Sequence, residues 1–524
     1  MKRRTVNGSM LFCLFIVVAT HHLSHLQAAA AETACDASNM MIRADDPSFS
    51  SLQEAFDAAA QKTLVLNGKK AYQVDRLVLQ RPVNVVTNGC LFVRKSSGPS
   101  FTIVVASPNV TFDRINLSLA EGVAARGVAL DRAHGFRCAE IRVIAETQVS
   151  GESGYDNAVR ISDTDDARLG FVECQRFSCP VIVERSQHIH IGGFRISHYV
   201  RGAYYRDCLH CYAGSSRVFH ASPDADVQAG HNALLLESKS EGAQANLVFE
   251  DWEVSDAGEH GIRLGGQYAM RNIKLVRPVI HDCGASGIKI LCGSSYHEDC
   301  LLDSPQIWNV GVGERNHSGI LVQNTIRTVV KQPHVFARNG EENSAYHGIR
   351  LTNVKACSIL DPHIESTRSD GILIDRSLPN GGLVRNESIV IRGGFVSSCG
   401  GNGIHIDCRG TAVEGIRIAG FPLVKDCGRY GVCVTSDEES AVLGSSITAD
   451  LRLCSTGHTV RVGGDFLCDL RGVFRDEIAQ LSPANGSILL VRPEGELYVR
   501  REAKWMQVEA QDLALPQSTN APEH

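Results

Sequence analysis

Hydrophobic and polar positions alternate with period two through the middle of the chain, and a short phrase punctuates the alternation. It reads Gly261-Ile-Arg-Leu264, Gly287-Ile-Lys-Ile290, Gly319-Ile-Leu-Val322, Gly348-Ile-Arg-Leu351, Gly371-Ile-Leu-Ile374, Gly403-Ile-His-Ile406 and Gly431-Val-Cys-Val434. The spacings are 26, 32, 29, 23, 32 and 28 residues. A second alternating run lies between phrases, as at Leu247 to Val254, Ile273 to Val276 and Ser388 to Ile391. A repeat of this length signals a solenoid or a propeller. Period two, abundant Ile and Val, and frequent Gly exclude a helical solenoid. The fit that remains is a parallel β-solenoid with two or three short strands per coil, each coil pairing with the next at about 4.8 Å. Ile262 and Leu264 then point inward and stack on their equivalents. Glycine is expected to supply left-handed turn conformations.

Upstream the pattern is less regular. Asn109 to Leu117, Phe136 to Ile144, Ala167 to Phe177 and His188 to Ile196 read as one strand per coil. An open solenoid end must be capped. Ser51 to Gln61 supplies a cap, with Leu52, Ala55, Phe56 and Ala59 on one helical face. After about Val473 the character changes, and Leu489 to Val491, Leu497 to Arg500 and Trp505 to Val508 read as a small β-hairpin module. The predicted division is a signal peptide at 1–31, a β-helix at 45–475, a small β module at 476–512 and a flexible tail at 513–524.

The amino-terminal assignment rests on Lys2, Arg3 and Arg4, the apolar run Met10 to Ala19, and small residues at Ala28 to Ala31. That order is a secretory signal, and its apolar run is about half the ~20 residues that span a bilayer. The expected location is secreted or periplasmic, with no membrane span after signal removal. Lys and Arg number 52 against 58 Asp and Glu, a net charge of -6, which argues against a nucleic-acid partner. The 18 cysteines are few for the length, so this is not a small disulfide scaffold. Cys283, Cys399 and Cys427 each precede a Gly at the same place in the repeat and are read as an internal thiol ladder, in which a Cys399–Cys427 disulfide is within reach.

The repeat, the helical cap and the export signal together resemble the right-handed parallel β-helix superfamily, the pectate-lyase-like fold, over about residues 45–475. The resemblance implies an all-β chain built as a single-stranded right-handed parallel β-helix with an N-terminal helical cap. It also implies activity on polysaccharides: members are mostly lyases, hydrolases and uronate epimerases, with phage tailspikes as relatives. Ser369-Asp370-Gly371 resembles one catalytic element of the polygalacturonase-type hydrolases, but Asn402-Gly403 and Tyr430-Gly431 stand where that group has a paired Asp and a His. Asp361-Pro362-His363 matches three positions of an alginate-epimerase motif, with Ile364 in place of its second acidic residue. The Arg-rich motifs of pectate lyases are absent.

Alternation assigns an outer face. The third residue of each phrase points outward: Arg263, Lys289, Leu321, Arg350, Leu373, His405 and Cys433. Two residues further on the outward column includes Asp375 and Asp407, and the rim before each Gly includes His347 and Asp370, with Tyr346 beside His347. Asp375 and Asp407 fall one coil apart, so one carboxyl is expected to be raised or a calcium ion to bridge them. The leading reading is an exported enzyme acting on an acidic, uronate-containing polysaccharide by β-elimination or C5 epimerisation. Arg350, Lys289 and Arg263 would hold carboxylates with Asp370 among the binding residues, His405 or His347 would take the proton, Tyr346 would act as acid, and Asp375 and Asp407 would orient the base or bind calcium. Rival readings are a glycoside hydrolase using paired Asp residues, and a non-catalytic glycan-binding or tailspike-like protein. The expected state is a monomer or a homotrimer.

Overall fold

The computed structural model describes residues 41–508 except 150–155, 222–229, 313–315, 339–344, 377–383, 410–412, 421, 436–441, 444, 453–459, 463–465, 475–487, 493–496 and 502–503. The segment read as a signal and the segment read as a tail lie outside the described residues.

Among those described are fifty strands and one helix. From Ile262 onward the coils build three sheets, with an extra two-residue strand at His297–Glu298, Asn386–Glu387 and Val413–Glu414. Sheet I holds the phrase strands: Ile262–Gly266, Ile288–Leu291, Ile320–Ile326, Ile349–Lys355, Ile372–Asp375, Ile404–Asp407 and Val432–Thr435, every neighbouring pair parallel. Sheet II runs through Arg271–Val276, Leu301–Asp303, Val329–Lys331, Ser358–Leu360, Val390–Arg392 and Arg417–Ala419. Sheet III runs through Val279–Cys283, Gln306–Val310, His334–Phe336, His363–Glu365, Phe395–Ser397 and Leu423–Lys425. The chain is a right-handed parallel β-helix, the hand that parallel crossovers take. Among the described residues no helix is long and apolar enough to cross a membrane.

The core is a set of identical stacks. Ile262, Ile288, Ile320, Ile349, Ile372, Ile404 and Val432 sit above one another, fully buried, and Leu264, Ile290, Val322, Leu351, Ile374, Ile406 and Val434 form the next stack. Each such side chain contributes about 1.5–3 kcal/mol by leaving water. The thiols belong to this core. Fourteen cysteines are buried and outside any disulfide, and Cys283, Cys399 and Cys427 each donate to the carbonyl two residues earlier at 3.3–3.4 Å. The reachable Cys399–Cys427 disulfide is therefore not made.

Two expectations need correction. The phrase glycines are not in the left-handed region; that conformation falls mostly to polar turn residues such as Asp251, Asp282, Asn324, Asn353 and Ser388. Glycine is required in the phrase for space. A Cβ on Gly403 would lie 2.3 Å from Val424 Cγ1 and 2.6 Å from the carbonyl of Gly431, and one on Gly348 would meet Ile364 and Gly371 as closely. Sheet I and sheet III approach each other there, and overpacking of this kind costs about 1–3 kcal/mol. The first half also carries more than one strand per coil. Arg137–Val149 is followed by Val159–Ser162, Arg168–Phe177 by Val181–Glu184, and Phe194–Tyr199 by Ala203–Arg206, which continue sheet I upstream.

The cap is the helix Leu52–Ala58. The Ser51 hydroxyl accepts from the Glu54 N–H, and the Glu54 carboxylate accepts from the Ser50 N–H, so two otherwise unpaired helix-start donors are satisfied. Ala55 and Phe56 are buried, and Phe56 stacks on Phe112 over the open end of the core. At the far end Ile488–Arg492 joins the parallel stack and then pairs antiparallel with Leu497–Arg501, which pairs with Lys504–Val508.

Candidate functional site

Backbone pairing puts the third phrase residues in one unbroken outward column: Arg160, Ile182, Tyr204, Leu235, Arg263, Lys289, Leu321, Arg350, Leu373, His405 and Cys433. The downstream part brings His347, Arg350, Asp370, Asp375 and His405 together. Asp370 is the hub. Its Oδ1 accepts from the backbone and side-chain nitrogens of Asn402, both at 2.8 Å, and its Oδ2 lies 3.2 Å from His405 Nδ1 and 3.5 Å from His347 Nδ1. Burial raises the Asp370 carboxyl, but the hydrogen bond and charge of His405 and the Asn402 N–H outweigh it, so Asp370 stays below the usual carboxylate range. His405 Nε2 meets the Thr435 hydroxyl at 2.7 Å. Burial, together with the Arg350 charge, pushes His347 down to about 4 against the pull of Asp370, so its ring is neutral. Tyr346 packs edge-on against His347 with ring centres 4.7 Å apart, and the Arg368 guanidinium covers its ring.

Asp375 and Asp407 behave differently from expectation. Each has its own arginine: Asp375 pairs with Arg350, and Asp407 takes Arg409 through two nitrogens at 2.8 and 2.9 Å, with Arg376 at 3.4 Å. Burial tends to raise Asp407, but Arg409 outweighs it and its carboxyl is lowered. The raised carboxyl expected from mutual repulsion is therefore not found at Asp407, and a bridging calcium ion would have to displace guanidinium groups.

Lys289 and Arg263 are also separated from His405. Lys289 is four register steps from His405, about 19 Å at the spacing of paired strands. At that distance neither cation reaches a group in contact with His405. Lys289 has no ion-pair partner among the described residues, and burial, with the charge of Arg263, lowers its pKa. Arg263 lies 3.6 Å from Glu259, and its Nε has no hydrogen-bond partner.

Arg263 instead lines a feature that the linear pattern does not reveal. Upstream, the same outward face forms a cleft of about 510 Å³. Its floor is apolar: Ile182, Tyr204 and Leu235 cluster with Cys179 on the outer side of sheet I. Its walls carry six cations, Arg126, Arg160, Arg201, Arg206, Lys239 and Arg263, against two carboxylates, Glu184 and Glu237. Glu184 is buried and clamped by Arg160 and Arg206, with Arg185 at 3.3 Å, which is the pairing a buried charge requires. The Tyr204 hydroxyl donates to Glu237, and the Arg201 guanidinium stands 5.4 Å over the Tyr204 ring. Burial, then Glu237, raises the Tyr204 pKa, so the phenol keeps its proton. Period two does mark these residues, since Tyr204 and Arg206 alternate with buried Ala203 and Tyr205. The phrase that would locate them is blurred, because Ala158, Pro180 and Ala233 occupy the glycine position.

No family model matches the sequence, and no curated protein matches it. Solved structures do align with the chain. A point variant of the periplasmic alginate epimerase AlgG covers 69% of this chain and 77% of its own, at 12% identity and a TM-score of 0.41. The A-module of the Azotobacter vinelandii mannuronan C-5 epimerase AlgE6 covers 76% of this chain and 95% of its own, at 15% identity and a TM-score of 0.40. A tailspike variant of E. coli bacteriophage HK620, in complex with a pentasaccharide, covers 78% and 79%, at 11% identity and a TM-score of 0.45. The likeness is one of fold: these are right-handed parallel β-helix proteins, the architecture of this chain.

Proposed function

We propose that the chain is an exported carbohydrate-active protein that takes an acidic, uronate-containing polysaccharide along the outer face of sheet I and acts on it by β-elimination or C5 epimerisation. The observation that carries the reading is the cleft with six cations against two carboxylates, in a chain whose net charge is -6. An apolar floor with convergent charged groups is the make-up of a ligand site, and the excess of guanidinium groups selects carboxylates, which they bind in bidentate geometry. The export reading rests on the amino-terminal segment.

The chemistry is assigned to the downstream cluster. Both reactions begin by removing the proton on the carbon next to the uronate carboxylate, and that step needs a neutral base beside a cation that stabilises the developing charge. Asp370 orients His405 through Nδ1, which leaves Nε2, now on Thr435, as the basic nitrogen. Arg350 is two register steps from His405 and shares its field with His347 and Asp375. Tyr346 is kept as the proton donor to the leaving oxygen, and Lys289 and Arg263 hold carboxylates of sugars further along the chain.

The test is incubation with a panel of polyuronates in D2O. Ultraviolet absorbance reports unsaturated ends, a reducing-end assay reports cleavage, and NMR reports deuterium at C5. Absorbance with new ends is the lyase outcome, and deuterium without new ends is the epimerase outcome. New ends without absorbance would mean a hydrolase. Binding without any of the three would leave a non-catalytic glycan-binding protein.

A further inference from the structure

Sheet III carries a second cluster, apart from the cations and histidines of sheet I, that includes His363 of the Asp361-Pro362-His363 segment. Its outward positions form a ladder of rings. His281 stacks on Trp308 at 4.4 Å, Trp308 meets Phe336 at 5.4 Å, and His334 stacks on Phe336 at 4.0 Å. His334 then meets His363 at 4.5 Å, and His363 meets Phe395 at 5.0 Å. Within this ladder the register sets His334 directly opposite His363 on adjacent coils. Glu365 lies two residues beyond His363 on the same strand, hence on the same face.

We propose that His334, His363 and Glu365 form a site for one divalent transition-metal ion. One ligand atom from each of the three lies within 4.8 Å of the other two, the separation that a shared ion requires. His363 Nε2 already contacts a Glu365 carboxylate oxygen, and the ring nitrogens of His334 have no hydrogen-bond partner among the described residues. Phe336 and Phe395 hold the two imidazoles edge and face, so little side-chain freedom is lost on binding. The His363 and Glu365 side chains are 45% and 37% exposed, which leaves a path for the ion and room for water at the remaining positions. Two imidazoles and one carboxylate suit zinc, copper or nickel, whereas calcium and magnesium take all-oxygen shells. The site is on a different sheet from the cationic cleft, so it stands or falls independently of the proposed reaction.

The experiment is titration of chelator-treated full-length protein with zinc by calorimetry, with copper(II) as a second probe read by electron paramagnetic resonance. The expected result is a saturable site near one equivalent. Affinity falls at least tenfold in His363→Ala and in Glu365→Gln, and is unchanged in His188→Ala, a surface histidine elsewhere. The copper spectrum of the unaltered protein shows coupling to two imidazole nitrogens, a readout that does not depend on any variant folding. Absence of a saturable site, equal affinity in a folded His363→Ala variant, or a copper spectrum without paired nitrogen coupling overturns the proposal.

Discussion

Replacing His405 by Ala lowers polyuronate turnover by about 10²–10⁴-fold, the usual contribution of a positioned general base, and leaves polyuronate affinity within about threefold. The split follows from position. His405 lies five register steps from Arg263 at the near edge of the cleft, so truncating it removes the proton acceptor without touching the cations. Asp370→Asn separates orientation from basicity. The hub would lose its charge but keep its shape, and the pH–rate profile would move along with kcat. A variant that merely loosened the fold would lower kcat at every pH alike. Equal loss of affinity and turnover in His405→Ala would place the chemistry elsewhere.

Stability falls steeply as pH drops from 6.5 toward 4. Burial pushes His260, His297 and His347 each down to about 4. The folded values lie below the unfolded value near 6.5, so the unfolded chain takes up protons first as pH falls. The stabilisation is complete above about pH 6.5 and is lost as pH approaches 4. At pH 5 the loss is about 2 kcal/mol for each histidine. His297 is the clearest case, because its Nδ1 accepts the Met270 N–H at 3.0 Å inside the coil. His260 likewise accepts from the Ser286 N–H at 3.1 Å. Protonation would turn each acceptor into a donor facing a donor. Chemical denaturation between pH 7.5 and 5 checks this. His297→Asn flattens the dependence by one proton, and a flat profile for the unaltered protein would contradict it.

The coil architecture was legible in the sequence because one backbone event repeats seven times. Gly followed by an inward Ile recurs, and the residues between the inward pair are forced outward. That placed Arg263, Lys289, Arg350 and His405 in one column, as found. The role of the glycine was misread, because a residue type does not reveal whether it supplies a turn or a gap; the clash of a Cβ at Gly403 with Val424 depends on a strand in another sheet. The raised carboxyl expected of the Asp375–Asp407 pair is not found at Asp407 for a related reason. Register predicts which carboxylates are neighbours, but not that Arg409, two residues on, curls back to claim one of them. The cleft escaped because its floor of Ile182, Tyr204 and Leu235 looks like core in a linear pattern, though it faces outward.

On the proposed function, the outer face of sheet I recognises polyuronate through its cations. The most direct measurement compares the affinity of one oligouronate with that of its carboxyl-reduced counterpart, for the unaltered protein and for Arg201→Ala with Arg263→Ala. The expected result is that the charged sugar binds at least tenfold more tightly, that added salt erodes the difference, and that the double variant loses about 10- to 100-fold for the charged sugar alone. Equal affinity for the two sugars, or a folded double variant that binds oligouronate as well as the unaltered protein, would contradict it.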